Sequence, residues 1–161
     1  MPRLPDKPSE LIRLALADLE KVERDPRYKI NMGSWHNVIE SPSTGRPVCA
    51  VCLAGAVMAG ALEESVHRSV RPWEYDRDTE HKLYALDMFR TGNVDSGFRC
   101  LMGLYTPGAK ALIRGAGQAL QHSLRHMSGN GGMWLVRYET DTTAFKRDLR
   151  GLADLMESKG V

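Results

Sequence analysis

Cys49 and Cys52 stand in a C-x-x-C spacing, and Trp35-His36 lies just upstream of them. Cysteines of this spacing can do three things. At a helix N-terminus one thiol gains stabilisation of its anion, and a nearby imidazole such as His36 would supply the base that a thiol hydrolase needs. The pair can also form half of a zinc site, which His36, His67 or Cys100 would have to complete. None of these makes a recognisable spaced ligand pair. Or the thiols simply pack, since a free cysteine behaves as a small buried hydrophobe. Packing is the leading reading. No catalytic residue is therefore assigned, with His36, Cys49 and Cys52 kept as the candidates. No metal or cofactor is called for. A thioredoxin-like site would need a βαβ setting, and none is read here.

A second chemistry lies in the charge pattern. From Gly97 to Tyr138 there is no Asp or Glu, while Arg99, Lys110, Arg114, Arg125 and Arg137 are all basic. Lys110, Arg114, Gln118, Gln121 and Arg125 follow a three-or-four spacing and so share one helix face. Lys110, Arg114, Arg125 and Arg137 are the expected partner-binding residues, suited to an acidic protein surface or to phosphates. The plainer reading is a solvated face balanced by acids elsewhere, such as Asp76, Asp78 and Glu80. A net charge of +2 is too small to argue for nucleic acid by itself. The loop Ser128–Gly132 is rich in glycine, but it follows a helix and so reads as a stop rather than a phosphate cradle.

Elements must position these residues. Val48 to Leu62, VCAVCLAGAVMAGAL, carries no charge and is rich in Ala and Gly. A run apolar all round is buried, and this one falls short of the roughly 18 residues of a membrane span. It reads as a central buried helix, with Gly55 and Gly60 letting a neighbouring backbone come close. Met1–Lys7 reads as a flexible arm. A helix capped at Asp6 or Ser9 runs to Asp25-Pro26. Tyr28–Trp35 alternates as a short strand, and Asn37–Pro47 reads as a loop. Helices follow from Asp78 to Arg90, from Asp95 or Ser96 to about Tyr105, from Pro107 to Met127, and from Asp141 to Gly160. Gly115, Ala116 and Ala119 form a small-residue ridge expected to cross the central helix. Met133–Glu139 reads as a strand that pairs with Tyr28–Trp35.

The expected fold is thus mainly α, a single domain over residues 1–161, with about six helices around a buried central one and a two-stranded antiparallel ribbon. Three cysteines, an odd number, and a start without an apolar targeting core point to the cytoplasm.

Asn31, Met32, Gly33 and Trp35, followed by Cys52, Ala54 and Gly55, resemble a group of small phage and bacterial proteins. These share an N-M-G/x-W element and a Cys-containing small-residue helix. The resemblance implies a phage or phage-like gene acting in the host cytoplasm, and it lends no activity. The expected function is that of a non-enzymatic accessory factor that binds and modulates a host macromolecule. A host protein is the first partner in view, with nucleic acid or a second copy as alternatives and no membrane. The rival readings are a small thiol- or zinc-dependent enzyme at His36, Cys49 and Cys52, and a nucleic-acid binder using the acid-free segment.

Overall fold

The computed structural model describes residues 2–128 and 137–161, the side chains at 121 and 124–128 excepted. Among the described residues run six α-helices: α1 (Pro8–Glu23), α2 (Leu53–Ala59), α3 (Arg77–Phe89), α4 (Val94–Met102), α5 (Pro107–Ser128) and α6 (Thr142–Ser158). Strands β1 (Tyr28–Ile30), β2 (His36–Glu40) and β3 (Pro47–Val51) form one mixed sheet, and a 3₁₀ turn covers Pro72–Glu74. The fold is mainly α, as expected. No helix among the described residues is long and apolar enough to cross a membrane.

The apolar positions of α1, namely Leu11, Ile12, Ala15, Leu16, Leu19 and Val22, recur at helical spacing and are all buried. That face packs on α2 and α6. The inward residues of α6 (Phe145, Leu149, Leu152 and Met156) complete the contact. Asp141 caps α6 as expected, its side chain accepting from the Ala144 amide. Elsewhere the caps shift. Asp76 rather than Asp78 caps α3, and Asn93 rather than Asp95 or Ser96 caps α4.

The stretch Val48–Leu62 is not one helix. Its first four residues belong to β3, and the helix starts only after Cys52. Burial holds as expected, since every residue from Cys49 to Met58 is buried. The error has a physical source. β3 lies between β1 and β2 and is covered on its faces, so it reads as a continuous apolar run. Such a run cannot be told from a buried helix by periodicity.

The ribbon is also corrected. β1 pairs with β3 in parallel, and β2 pairs with β3 antiparallel, giving the order β1-β3-β2. The segment Asn37–Pro47 is therefore strand and hairpin, turning where Gly45 takes φ +66°. Of the expected strand Met133–Glu139, residues 133–136 lie outside the described residues. Tyr138–Thr140 is a turn leading into α6.

Two packing expectations change as well. The segment read as a flexible arm is pinned: Leu4 is buried, and the Lys82 ammonium, itself buried, donates to the Leu4 carbonyl at 3.0 Å. And the ridge on α5 does not cross α2. α5 packs chiefly on α4 and only lightly on α6, while α2 packs on α1 and α3.

Candidate functional site

In the sheet, Cys49 stands in register with Tyr28 on one side and Val38 on the other. It is fully buried, and desolvation pushes its thiol up to about 11. Cys52 ends the strand and caps α2, its Sγ accepting from the Gly55 amide at 3.4 Å. Burial pushes this thiol up to about 11 too, outweighing the lowering effect of that amide bond. The charges that act on Cys52 are Asp87 of α3 and Arg90 just after it, whereas Cys49 acts on the Tyr28 phenol. The two sulfurs thus serve different packing surfaces. At these values a fraction on the order of 10⁻⁴ of either is thiolate at neutral pH, the reverse of an activated nucleophile.

His36 pairs with Val51, two residues along β3 from Cys49, and so shares its sheet face. Its ring is fully buried, and neither nitrogen has a hydrogen-bond partner among the described residues. Desolvation lowers its pKa. Its own backbone, the Glu64 carboxylate and the Arg68 backbone pull the other way, neither backbone group reaching hydrogen-bond geometry. Glu64 and Arg68, which act on the ring, belong to a polar cluster that reaches the surface. Tyr75 donates its hydroxyl to Glu64 Oε1 at 2.7 Å, and Tyr28 donates to the Glu64 carbonyl at 3.4 Å. Arg68 pairs with Glu74 at 2.6 Å. From the sequence, His36 is a possible base for Cys49 but more simply a surface or capping histidine. The structure instead buries both residues, on one face of the sheet.

The basic residues have the opposite character. Arg114 is exposed and Lys110 half-buried on α5, and neither makes an ion pair among the described residues. Arg137 is exposed just before the turn into α6. The side chain of Arg125 lies outside the described residues. Arg99 is already paired, with Asp95 at 2.8 Å.

Elsewhere on α5 runs an apolar groove of about 630 Å³, lined by Gly108, Ala111, Leu112, Gly115, Ala116 and Ala119, with Lys159 as its one charged lining residue. Leu112 is 73% exposed, the most exposed large apolar side chain described, and Trp73 follows at 62%. The sequence signal for this groove was the small-residue ridge of α5, assigned there to the interior. Ala116 does face inward, but Gly115 has no neighbour within 4 Å of its Cβ direction.

Two buried charges were not foreseen as structural devices. Asp18 of α1 accepts from the Ala61 amide at 3.1 Å and so holds the end of α2. Lys82 gathers Asp6 at 2.8 Å and Asp78 at 2.7 Å in addition to the Leu4 carbonyl. Asp18 falls on the apolar face of α1, which was its signal. Nothing in the sequence pairs Lys82 with the arm.

No protein-family model, curated protein or solved structure matches this chain. The site therefore has to be read from its own geometry.

Proposed function

We propose that this chain is a non-catalytic interaction protein that acts by docking on another macromolecule. One observation carries the reading: large apolar side chains, Leu112 and Trp73, stand in solvent on regular helical elements. The residues that could do thiol chemistry, by contrast, are sealed in the core and held in their neutral forms. Exposed aromatic and aliphatic side chains of this kind are the usual anchors of protein interfaces. The resemblance of the Asn31–Trp35 and Cys52–Gly55 elements suggests the setting, a phage-encoded accessory factor acting on a host macromolecule.

The test is capture from lysate of the source cell with wild-type protein and with a Trp73→Ala, Leu112→Ala double variant. Both side chains are solvent-exposed, so the variant folds. A macromolecule recovered in stoichiometric amount by the wild type and lost by the variant is the expected result. Recovery of nothing by the wild type rejects the reading. So does loss of biological effect in a folded Cys49→Ser variant that captures its partner normally, which would restore the thiol enzyme.

A further inference from the structure

We propose that residues 65–71 form a proton-operated strap, closed over the buried His36 imidazole while that ring is neutral and lifted from β2 when the ring takes up a proton. β2 borders the three-stranded sheet, and the strap runs along its outer edge. Three hydrogen bonds fasten it there. The Val70 amide donates to the His36 carbonyl at 2.9 Å, the Val38 amide donates to Ser69 Oγ at 2.9 Å, and Arg71 donates to Asn37 Oδ1 at 2.6 Å. Of the strap residues only Val66 and Val70 are buried. The opposite edge of β2 is held by a five-residue ladder to β3, whose Cys49, Ala50 and Val51 lie in the core. The strap is therefore the side that can open locally while the sheet stays paired. The 3₁₀ turn that carries Trp73 follows directly, so lifting the strap frees the chain on one side of that exposed ring.

The surroundings of the ring make it a trigger. It is fully buried, and both its nitrogens lack a partner among the described residues. A neutral imidazole leaves one N–H and one lone pair unanswered there, whereas an imidazolium leaves two N–H groups and a charge. The closed site has little to offer that charge. β3 brings only Cys49, whose thiol stays neutral, and α2, also packed on β2, has no titratable side chain. Besides His36, β2 itself carries only Glu40, at its exposed end. Burial opposes a proton on the ring most, and the Arg68 guanidinium adds to this, while Glu64 and the backbone of His36 and Arg68 favour it. The Glu64 carboxylate is already engaged. It accepts the Tyr75 hydroxyl at 2.7 Å and stands 3.7 Å from Arg68, while Tyr28 of β1 bonds the Glu64 carbonyl. A protonated ring must therefore draw Glu64 from contacts that hold this segment, or reach water. Either course lifts the strap. His67 lies on the strap but is exposed, so water reaches it whether the strap is open or closed. Opening wets the His36 ring and restores its ordinary proton affinity, so the open fraction grows as the pH falls below about 6.5.

The test is amide hydrogen exchange of the intact chain, read residue by residue by NMR at pH 7.5 and 5.0 and corrected for intrinsic rates. Val70 and Val38 supply the amides bonded between strap and strand, and Cys49, whose amide donates to the Arg27 carbonyl at 2.9 Å, reports on the sheet. The strap amides should exchange at least about tenfold faster than Cys49 at both pH values, and low urea should speed Cys49 while leaving them unchanged. Between pH 7.5 and 5.0 their protection should fall by up to about 30-fold, the ceiling for a free imidazole. The fall should vanish in His36→Phe and in His36→Leu, two replacements of different shape that cannot titrate, and persist in His67→Gln. Equal protection and equal urea dependence at all three amides mean global unfolding and overturn the proposal. So does strap protection that ignores pH. A fall that remains in a folded His36 variant, or that disappears in His67→Gln, assigns the trigger to another group and overturns it as well. Should neither His36 variant fold, the ring signals of the wild type decide. They must titrate with the same midpoint as the loss of protection, and a ring that stays neutral while the strap opens overturns the proposal.

Discussion

A Cβ on Gly55 would stand 1.6 Å from the Trp35 carbonyl oxygen and 2.8 Å from its carbon. The contact is with backbone, which cannot swing aside. Gly55→Ala should therefore cost about 1–3 kcal/mol or more, the range of core overpacking. That lowers the melting temperature by roughly 2–4 °C per kcal/mol at this chain length. Gly115→Ala is the control. It is also helical, but its Cβ meets nothing, so it should gain about 0.5–1 kcal/mol from helix propensity. Calorimetry of the two variants checks both, and equal melting points would refute the packing described for Gly55. His36 makes a pH prediction. The unfolded ring binds a proton near 6.5, and the folded ring only at lower pH, because burial disfavours the charge. Below about 6.5 the unfolded chain thus holds more protons, so stability is full above that pH and declines as the pH falls through the window beneath it. Urea unfolding at pH 7.5 and 5.5 should show the decline, and His36→Phe should flatten it. For the thiols, iodoacetamide at pH 8 should label the half-buried Cys100 well before Cys49 or Cys52, read by peptide mass spectrometry. Rapid labelling of Cys49 would reopen the reactive-thiol reading.

Among the elements, those with a two-sided signal were legible. α1 and α6 show an apolar face against a charged one, and α5 shows twenty-two residues of helical period after a proline. The sheet was not, because its central strand is apolar on both faces and its outer strands are short. β1 spans three residues, too few for alternation to count. Of the candidate site, the residues His36 and Cys49 could be named from their types, but their shared face could not, because it comes from the pairing of β2 with β3. The outward direction of the α5 ridge was not legible, because a row of Gly and Ala looks the same whether it meets a neighbour or solvent. The pinned arm was invisible for another reason: its contacts join residues distant in the chain. Lys82 bonds Asp6, and Tyr105 donates its hydroxyl to the Asp6 carbonyl. This gives an element-level prediction. Lys82→Met removes every bond of the buried ammonium and leaves the arm's carbonyl without its donor. Trypsin should then cut after Arg3, the arm's cleavable site since Lys7 precedes Pro8, many times faster than in the wild type, with the rest of the chain cleaved at its former rate. An unchanged rate would mean that Leu4 alone holds the arm.

At the scale of the molecule, ion pairs do little for cohesion. The α1–α6 contact carries Arg13 with Asp154 and Glu157, Lys146 with Glu23, and Arg150 with Glu20. Most are solvent-facing, and such pairs contribute about 0–1 kcal/mol each. High salt should accordingly leave the melting temperature nearly unchanged, while weakening any complex made through Lys110 and Arg114. Scanning calorimetry and a binding titration over the same salt series separate the two, and parallel losses would mean that the surface pairs matter to the fold. The motif of Asn31, Met32, Gly33, Trp35, Cys52, Ala54 and Gly55 also has meaning only at this scale. Asn31 donates its amide to the Val51 carbonyl at 2.8 Å and accepts from Gly33, the Trp35 carbonyl seats on Gly55, and Cys52 caps the turn that Gly55 opens. These residues form one joint between sheet and helix, so the spacing of the pattern follows from packing alone.

The pinned arm bears on how the chain comes off the ribosome. Leu4 is synthesised long before Lys82 and Tyr105, the residues whose side chains fasten its neighbourhood. Until those emerge, an apolar segment that ends up buried has no place to go. The nascent chain must carry it unfastened over the 78 positions that separate Leu4 from Lys82, so this clasp closes only after α3 has emerged.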